Sequence, residues 1–368
     1  MKKDRVSTFH FSVSSNILYL LDKLSLRKLN NISNVMTKKD LRIIFMGTPE
    51  FAVGTLKALV TGGYNVVAVV TQPDKPVGRH QDTLQPSQVK QFALEHGLPV
   101  LQPEKMKDPA FVEELRSYNA DLQIVVAFRM LPEIVWGMPR FGTFNVHAAL
   151  LPQYRGAAPI NWAVINGEKK TGVTTFFLDH DIDTGRIIEQ REFAIPDDAD
   201  VEYVYDGLMA LGAEIALSTT DKIIEGNGQI DSMPQELYFH NAGVSDESDL
   251  CHAPKIFKET CEINWENPCK KIYDFVRGLS PYPGTWTTIV ADGEKDLIMK
   301  IFRTAKTSLP ATTIPGEIVL ENNRLFISAS DFLLEILELQ ITGKKRMAAR
   351  DFLNGFKKIT QYSCRHTY

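Results

Sequence analysis

The sequence predicts an α/β protein in which a doubly wound, largely parallel sheet is followed by a small OB-like β-barrel domain. Three observations carry this. From Leu41 onward, apolar runs with strand-like and helix-like spacing alternate, each bounded by Gly or Pro. After about Lys258 the pattern changes to one helix and several short strands separated by turns. A length of 368 residues exceeds what one hydrophobic core ordinarily serves, which favours two domains.

Taken in order, LRIIFMG reads as a buried strand, PEFAVGTLKALVTGG as the helix after it and NVVAVVTQ as the next strand. A loop from Pro73 to Pro86 leads to a helix in SQVKQFALEHG, a strand in LPVLQP, a helix in DPAFVEELRSYN and a strongly apolar strand in ADLQIVVAF. A short helix, the segment TFNVHAALLP, a helix from about Ala157 and the strands TGVTTFFLDHD and RIIEQREFAI follow. The long helical pattern from Asp200 to Glu225, closed by GNG, finishes this domain. Periodicity fades between Gly226 and Lys258, where Pro234, SDESD and Pro254 suggest a linker. Beyond it NPCKKIYDFVRG reads as a helix, and TWTTIVA, LIMKIFRTA, GEIVLENNRLFISAS and LLEILELQI as the barrel strands. The expected boundaries are 41–226 for the first domain, 227–258 for the linker and 259–368 for the barrel. Residues 1–40 are rich in Lys, Arg and Ser, as organellar transit peptides are. With Met36 directly before TKKDLRIIFMG, they read more simply as an extension ahead of the working start, outside the fold.

The composition, 44% hydrophobic and 23% charged, is that of a soluble globular protein. No run approaches the roughly 18 apolar residues of a membrane helix. Cys251, Cys261, Cys269 and Cys364 show no C-x-x-C spacing, which suits a reducing cytoplasm and argues against a zinc site. The net charge of −4 divides into +5 over 1–40, −13 over 41–250 and +4 over 251–368. An acidic body with a basic appended domain fits the holding of a polyanion, although a solvated surface would look the same. FMGTPEF follows a strand but has one Gly where a dinucleotide fingerprint needs three, which argues against nicotinamide binding.

The chemistry is concentrated in TFNVHAALLPQYRG. Side chains alternate along a strand, so Asn145 and His147 project the same way, at the strand end where open α/β sheets collect ligands. LDHDIDTGR places Asp179, Asp181 and Asp183 at a second strand end. A calcium loop beginning at Asp179 would need Gly and Glu where Thr184 and Gln190 stand. An Asn, a His and an Asp without a Ser or Cys nucleophile suit acyl transfer to an outside amine. The Asn amide and a protonated imidazole donate to the oxyanion, and a carboxylate keeps the imidazole charged and takes the amine's proton. This scheme needs no metal and no covalent enzyme intermediate.

FMGTPEFAV, TQPDKPVGR, NVHAALLPQYRGAAPINWAVINGE, TGVTTFFLDHDIDTGRII, LSPYPGTW and GKKRM together resemble the folate-dependent formyltransferase family over about Leu41 to Lys358. GTPEF and LSPYPGTW narrow the resemblance to its tRNA-acting branch. The resemblance implies a formyltransferase variant of the Rossmann fold and a 10-formyltetrahydrofolate donor. It implies that the formyl group passes to the α-amino group of methionyl initiator tRNA, for translation initiation, by a cytoplasmic monomer. On the family's pattern Asn145, His147 and Asp183 are catalytic. Phe128, Arg129, Met130 and Leu131 would line the folate pocket with Ala149, Leu150, Leu151 and Pro152 of the turn. Arg79 and the barrel residues Lys344, Lys345 and Arg346 would hold tRNA phosphates. Three departures stand out. Ala149 occupies a position where many relatives have Ser. Phe128 and Arg129 stand where tRNA formyltransferases often read Tyr-Gly, nearer to the glycinamide ribonucleotide type. His80, Gln81 and Asp82 replace a basic run. A small-amine acceptor, such as an amino sugar or glycinamide ribonucleotide, is the alternative within the same chemistry, but the basic barrel argues against it. A non-enzymatic RNA-binding protein is the other alternative, and the intact Asn145, His147 and Asp183 set argues against that.

Overall fold

The computed structural model describes residues 36–77, 83–239 and 245–365. The extension therefore lies almost wholly outside the described residues, as does Arg79. Its last part does not: Met36 packs against the core, and Lys38 covers the Tyr64 ring at 4.1 Å, so the fold begins a few residues before the expected Leu41.

The first domain is a seven-stranded sheet in the order β10-β9-β7-β6-β1-β2-β5. Its strands are β1 (Arg42–Gly47), β2 (Asn65–Val70), β5 (Val100–Leu101), β6 (Leu122–Val126), β7 (Thr143–His147), β9 (Lys170–Phe177) and β10 (Ile187–Ala194). A small hairpin of β3 (Lys75–Val77) and β4 (Thr83–Gln85) lies in the expected 73–86 loop. β5, β2, β1, β6 and β7 run parallel, whereas β9 is antiparallel to both its neighbours. The short connection from β9 to β10 accounts for the pairing of those two strands, since adjacent strands joined tightly pair antiparallel.

Helices cover both faces. α1 (Glu50–Thr61), α2 (Gln88–Glu95), α5 (Pro159–Ile165) and α6 (Val201–Glu225) build one core with Phe45, Phe144 and Val146. α3 (Pro109–Ser117) and α4 (Glu133–Trp136) build the other with Ile44, Met46 and Val125. β1 is buried on both sides, which accounts for its unbroken apolar run. α6 starts where the Asp200 side chain accepts the Tyr203 N–H, and it ends at Gly226.

The barrel comprises β12 (Thr285–Val290), β13 (Leu297–Pro310), β14 (Ile318–Glu321), β15 (Arg324–Ser328), β16 (Phe332–Ile341), β17 (Met347–Ala348) and β18 (Ser363–Cys364). The order β14-β15-β16-β13-β12-β18 nearly closes on itself, because the Cys364 N–H donates to Gly316 O just ahead of β14. Asn322 and Asn323, both at positive φ, form a tight β14–β15 hairpin that divides the expected segment GEIVLENNRLFISAS into two strands. α7 (Cys269–Gly278) and α8 (Ala349–Gly355) fill the barrel with Ile272, Val276, Phe352 and Leu353. α7 also docks on the first domain: Asn161 Nδ2 donates to Gly278 O at 2.8 Å, and Arg277 reaches Ala199 O at 2.8 Å.

The expected linker does not hang free. Its short strand β11 (His252–Ala253) pairs in parallel with β8 (Arg155–Gly156), just downstream of the Leu-Leu-Pro turn. No helix of the described residues is long and apolar enough to cross a membrane.

Candidate active site

β7 sends Phe144 and Val146 into the core, so Asn145 and His147 share the opposite face as alternation requires. Leu150 and Pro152 follow in a turn tied down by polar side chains. Thr174 Oγ1 donates to Ala149 O at 2.7 Å and accepts the Leu151 N–H at 3.1 Å, and Gln190 Nε2 donates to Leu151 O at 2.7 Å. The chain then doubles back through β8, bringing Tyr154 and Gly156 to the site.

His147 is buried, and its Nε2 lies 2.9 Å from Tyr154 O. A carbonyl oxygen only accepts, so Nε2 carries the proton and Nδ1 is the nitrogen left to the site. Nδ1 faces Asp183 Oδ2 at 3.7 Å, within ion-pair range but longer than a hydrogen bond. The same Oδ2 accepts the Gly156 N–H at 2.9 Å. Thus β8 supports both members of the pair. Gly156 is needed there: its φ is +129°, and a Cβ would stand 2.4 Å from Ala253 O of β11. Asn145 Oδ1 is buried and has no hydrogen-bond partner among the described residues. A buried amide oxygen without a protein partner is an acceptor open to a donor from outside. The Phe176 ring stands edge-on to the imidazole at a centroid distance of 6.4 Å and walls the site on the β9 side.

Asn145 and His147, two residues apart on β7, therefore share a face at its C-terminal end, and Asp183, 36 positions further along the chain, comes to the imidazole there. The folate candidates divide. Leu131, Ala149 and Leu151 are packed in three separate core clusters, and the Leu150 side chain lies against Gly172 of β9. The side chains of these four residues are thus spent on packing, which leaves their backbone as what they can offer a ligand. Arg129 turns away to donate to Pro103 O and, at 2.9 Å, to Glu104 O, so it fastens the β6 loop to the β5 loop. Pro152 is buried, Phe128 half-buried and Met130 exposed. In the barrel, Lys344 and Lys345 are exposed in the β16–β17 turn. Arg346 is instead held bidentately by Glu338 at 2.7 and 2.8 Å, over the Phe302 ring.

Sequence reasoning missed the groups that hold the reacting set. Tyr154, Arg155 and Gly156 sit inside the quoted YRG motif, but their support of His147 and Asp183 depends on the β8 reversal. Gln235 lies in the expected linker, where no periodicity singled it out, yet it is buried and bonded to the Asp183 turn.

A doubly wound sheet with this cluster at a strand end, followed by a barrel, defines a transferase of the acyl-transfer class. Residues 41–220 match the formyl transferase family and residues 255–357 match the formyl transferase C-terminal domain, and the chain belongs to this family. It is 57% identical to a methionyl-tRNA formyltransferase of Parabacteroides distasonis, over 89% of this chain and 99% of that one. It is 54% identical to a methionyl-tRNA formyltransferase of Bacteroides fragilis, over 87% of this chain and 97% of that one. Among solved structures, the sugar 3N-formyl transferase WlaRD, determined with dTDP and 5-N-formyl-THF, superposes with a TM-score of 0.57 at 19% identity, over 83% of this chain and 99% of that one. HypX from Aquifex aeolicus in complex with tetrahydrofolic acid gives 0.56 at 19% identity, over 86% of this chain and 48% of that one. Both share the fold.

Proposed function

We propose that this chain transfers the formyl group of 10-formyltetrahydrofolate to the α-amino group of methionyl initiator tRNA. The observation that carries the reading is the meeting of Asn145, His147 and Asp183 at the end of β7, in a chain similar over both domains to methionyl-tRNA formyltransferases.

The folate is a substrate that brings the formyl carbon. Beyond β6 and β7 a flat heterocycle would find side-chain surface on Phe128 and Met130 and a fixed backbone wall in the Leu150–Pro152 turn. The attacking amine donates one hydrogen to the unpartnered Asn145 Oδ1, which aims its lone pair at the formyl carbon. Oxyanion charge then develops between Asn145 Nδ2 and a protonated His147 Nδ1, whose opposite nitrogen is fixed on Tyr154 O. Asp183 balances the imidazolium and accepts the amine's proton, directly or through water. Collapse of the tetrahedral intermediate breaks the carbon–nitrogen bond to the folate, whose nitrogen keeps the bonding pair and takes up the proton that Asp183 accepted from the amine.

The test is incubation of the protein with 10-formyltetrahydrofolate and initiator tRNA charged with methionine. Formylmethionine released from the tRNA is the expected product. Formylation of a free amino sugar or glycinamide ribonucleotide, with none on tRNA, would replace this reading with the small-amine one.

A further inference from the structure

We infer that Gln235 is a positioning residue for this reaction: it clamps the turn that carries Asp183 and so sets the carboxylate against His147. The inference rests on the formyl-transfer reading above. Asp183 has a φ of +57°, the left-handed conformation that residues other than glycine adopt only with support. Gln235 supplies the support. Its Nε2 donates to Asp183 O at 2.8 Å and to Gly185 O at 2.9 Å, spanning the turn. Its Oε1 accepts from Arg155 Nε at 3.0 Å and from Nη2 at 2.8 Å. An amide has two hydrogens and two lone pairs, and here all four are used by a side chain that is 1% exposed.

The other end of the clamp identifies its purpose. Arg155 is buried between Tyr154, whose carbonyl holds His147 Nε2, and Gly156, whose N–H holds Asp183 Oδ2. Gln235 therefore joins the turn bearing the carboxylate to the strand bearing the supports of both partners. Arg155 is itself steadied by an ion pair with Glu247. The segment bearing Gln235 is registered on β10, where Met233 and Ile187 exchange two backbone hydrogen bonds of 2.8 Å. Gln235 bonds only to the turn's backbone and to Arg155 and is hidden from solvent, so it acts through Asp183 and not on substrate.

Gln235→Glu keeps the size of the side chain and the Arg155 contact but sets an oxygen against two carbonyl oxygens. A catalytic group displaced by roughly 1 Å loses on the order of 100-fold in rate, so kcat for tRNA formylation should fall about 10- to 100-fold, with KM for each substrate within about threefold. In an Asp183→Asn background the same change should lower kcat by less than about threefold, because the group it positions is already disabled. A merely structural residue would lower activity equally in both backgrounds. Arg155→Lys keeps the charge beside Glu247 but loses the fork to Gln235, and should show the same non-additivity if Gln235→Glu does not fold. A kcat within about twofold of wild type in the folded variant, or full multiplication of the two losses, overturns the inference. Failure of the wild-type protein to formylate the tRNA overturns the functional reading instead.

Discussion

His147 is buried and Asn145 half-buried at the same strand end, yet their polar atoms are treated differently. Tyr154 O holds the His147 Nε2 proton, whereas Asn145 Oδ1 has no partner among the described residues. A core built for stability alone would satisfy both. The difference is explained if Asn145 is reserved for the incoming amine and for the oxyanion. Asn145→Ala should then raise the transfer barrier by about 3 kcal/mol, roughly 100-fold in single-turnover formylation. A loss below about threefold would remove Asn145 from the oxyanion role. The cysteines allow a separate test at this scale. Cys251 is exposed, while Cys261, Cys269 and Cys364 are buried; burial raises all three thiols, with Cys364 pushed up to about 12. The thiolate is the reactive form. A disulfide reagent at neutral pH should label Cys251 quickly and the other three only on unfolding, and rapid native labelling of a second thiol would contradict this packing.

At the scale of elements, polar residues on β10 and α6 form a second network, half-buried at the domain surface. Glu189 of β10 is drawn upward by burial, but hydrogen bonds from Lys222, Ser218 and Arg191 outweigh this and hold its carboxyl below the ordinary range. A lowered carboxyl pKa stabilises the fold fully above the unfolded value, near 4.3 for Glu, and the contribution is lost as pH falls through the folded value. Glu189→Gln should therefore lower Tm at pH 7 and differ less from wild type as pH drops below about 4, read by thermal melts across that range. A gap that widened in acid would contradict the assignment. The elements themselves were legible because they follow simple patterns: the continuous apolar runs of β1 and β6, and the Asp200 cap and Gly226 stop of α6. What was not legible lies in aperiodic chain. β11 is a two-residue strand in the expected linker, and Gln235 sits on a single 3-10 turn, so neither has a repeat for a sequence pattern to detect. The catalytic side chains were visible as residue types at strand ends. Their mutual distance was not, because it depends on the β8 reversal and on long-range bonds to residues 80 positions away.

For the whole molecule, the proposed function would divide the work between the two domains, chemistry in the first and the holding of a large polyanion in the barrel. The basic excess of the C-terminal portion is where a tRNA backbone would lie, but only charges not already paired contribute to such binding. Lys344 and Lys345 are exposed and enter no ion pair among the described residues, whereas Arg346 is engaged with Glu338 and stacked on Phe302. That pairing draws the Arg346 guanidinium above its ordinary value and holds the Glu338 carboxyl below its own. The three basic residues of one turn should consequently behave differently. Replacing Lys344 and Lys345 by Ala removes two phosphate contacts, weakens tRNA binding and reduces the slope of log affinity against log salt by about 1 to 2. kcat at saturating tRNA should stay unchanged, since neither residue is near β7. Arg346→Ala should leave the slope as it was and lower Tm instead, through loss of the Glu338 fork and the ring contact. Filter-binding titrations over a salt series, paired with thermal melts, separate the two effects. A slope change from Arg346→Ala equal to that of one lysine would show that the ion pair opens to the nucleic acid, and the barrel's binding face would then extend across β16.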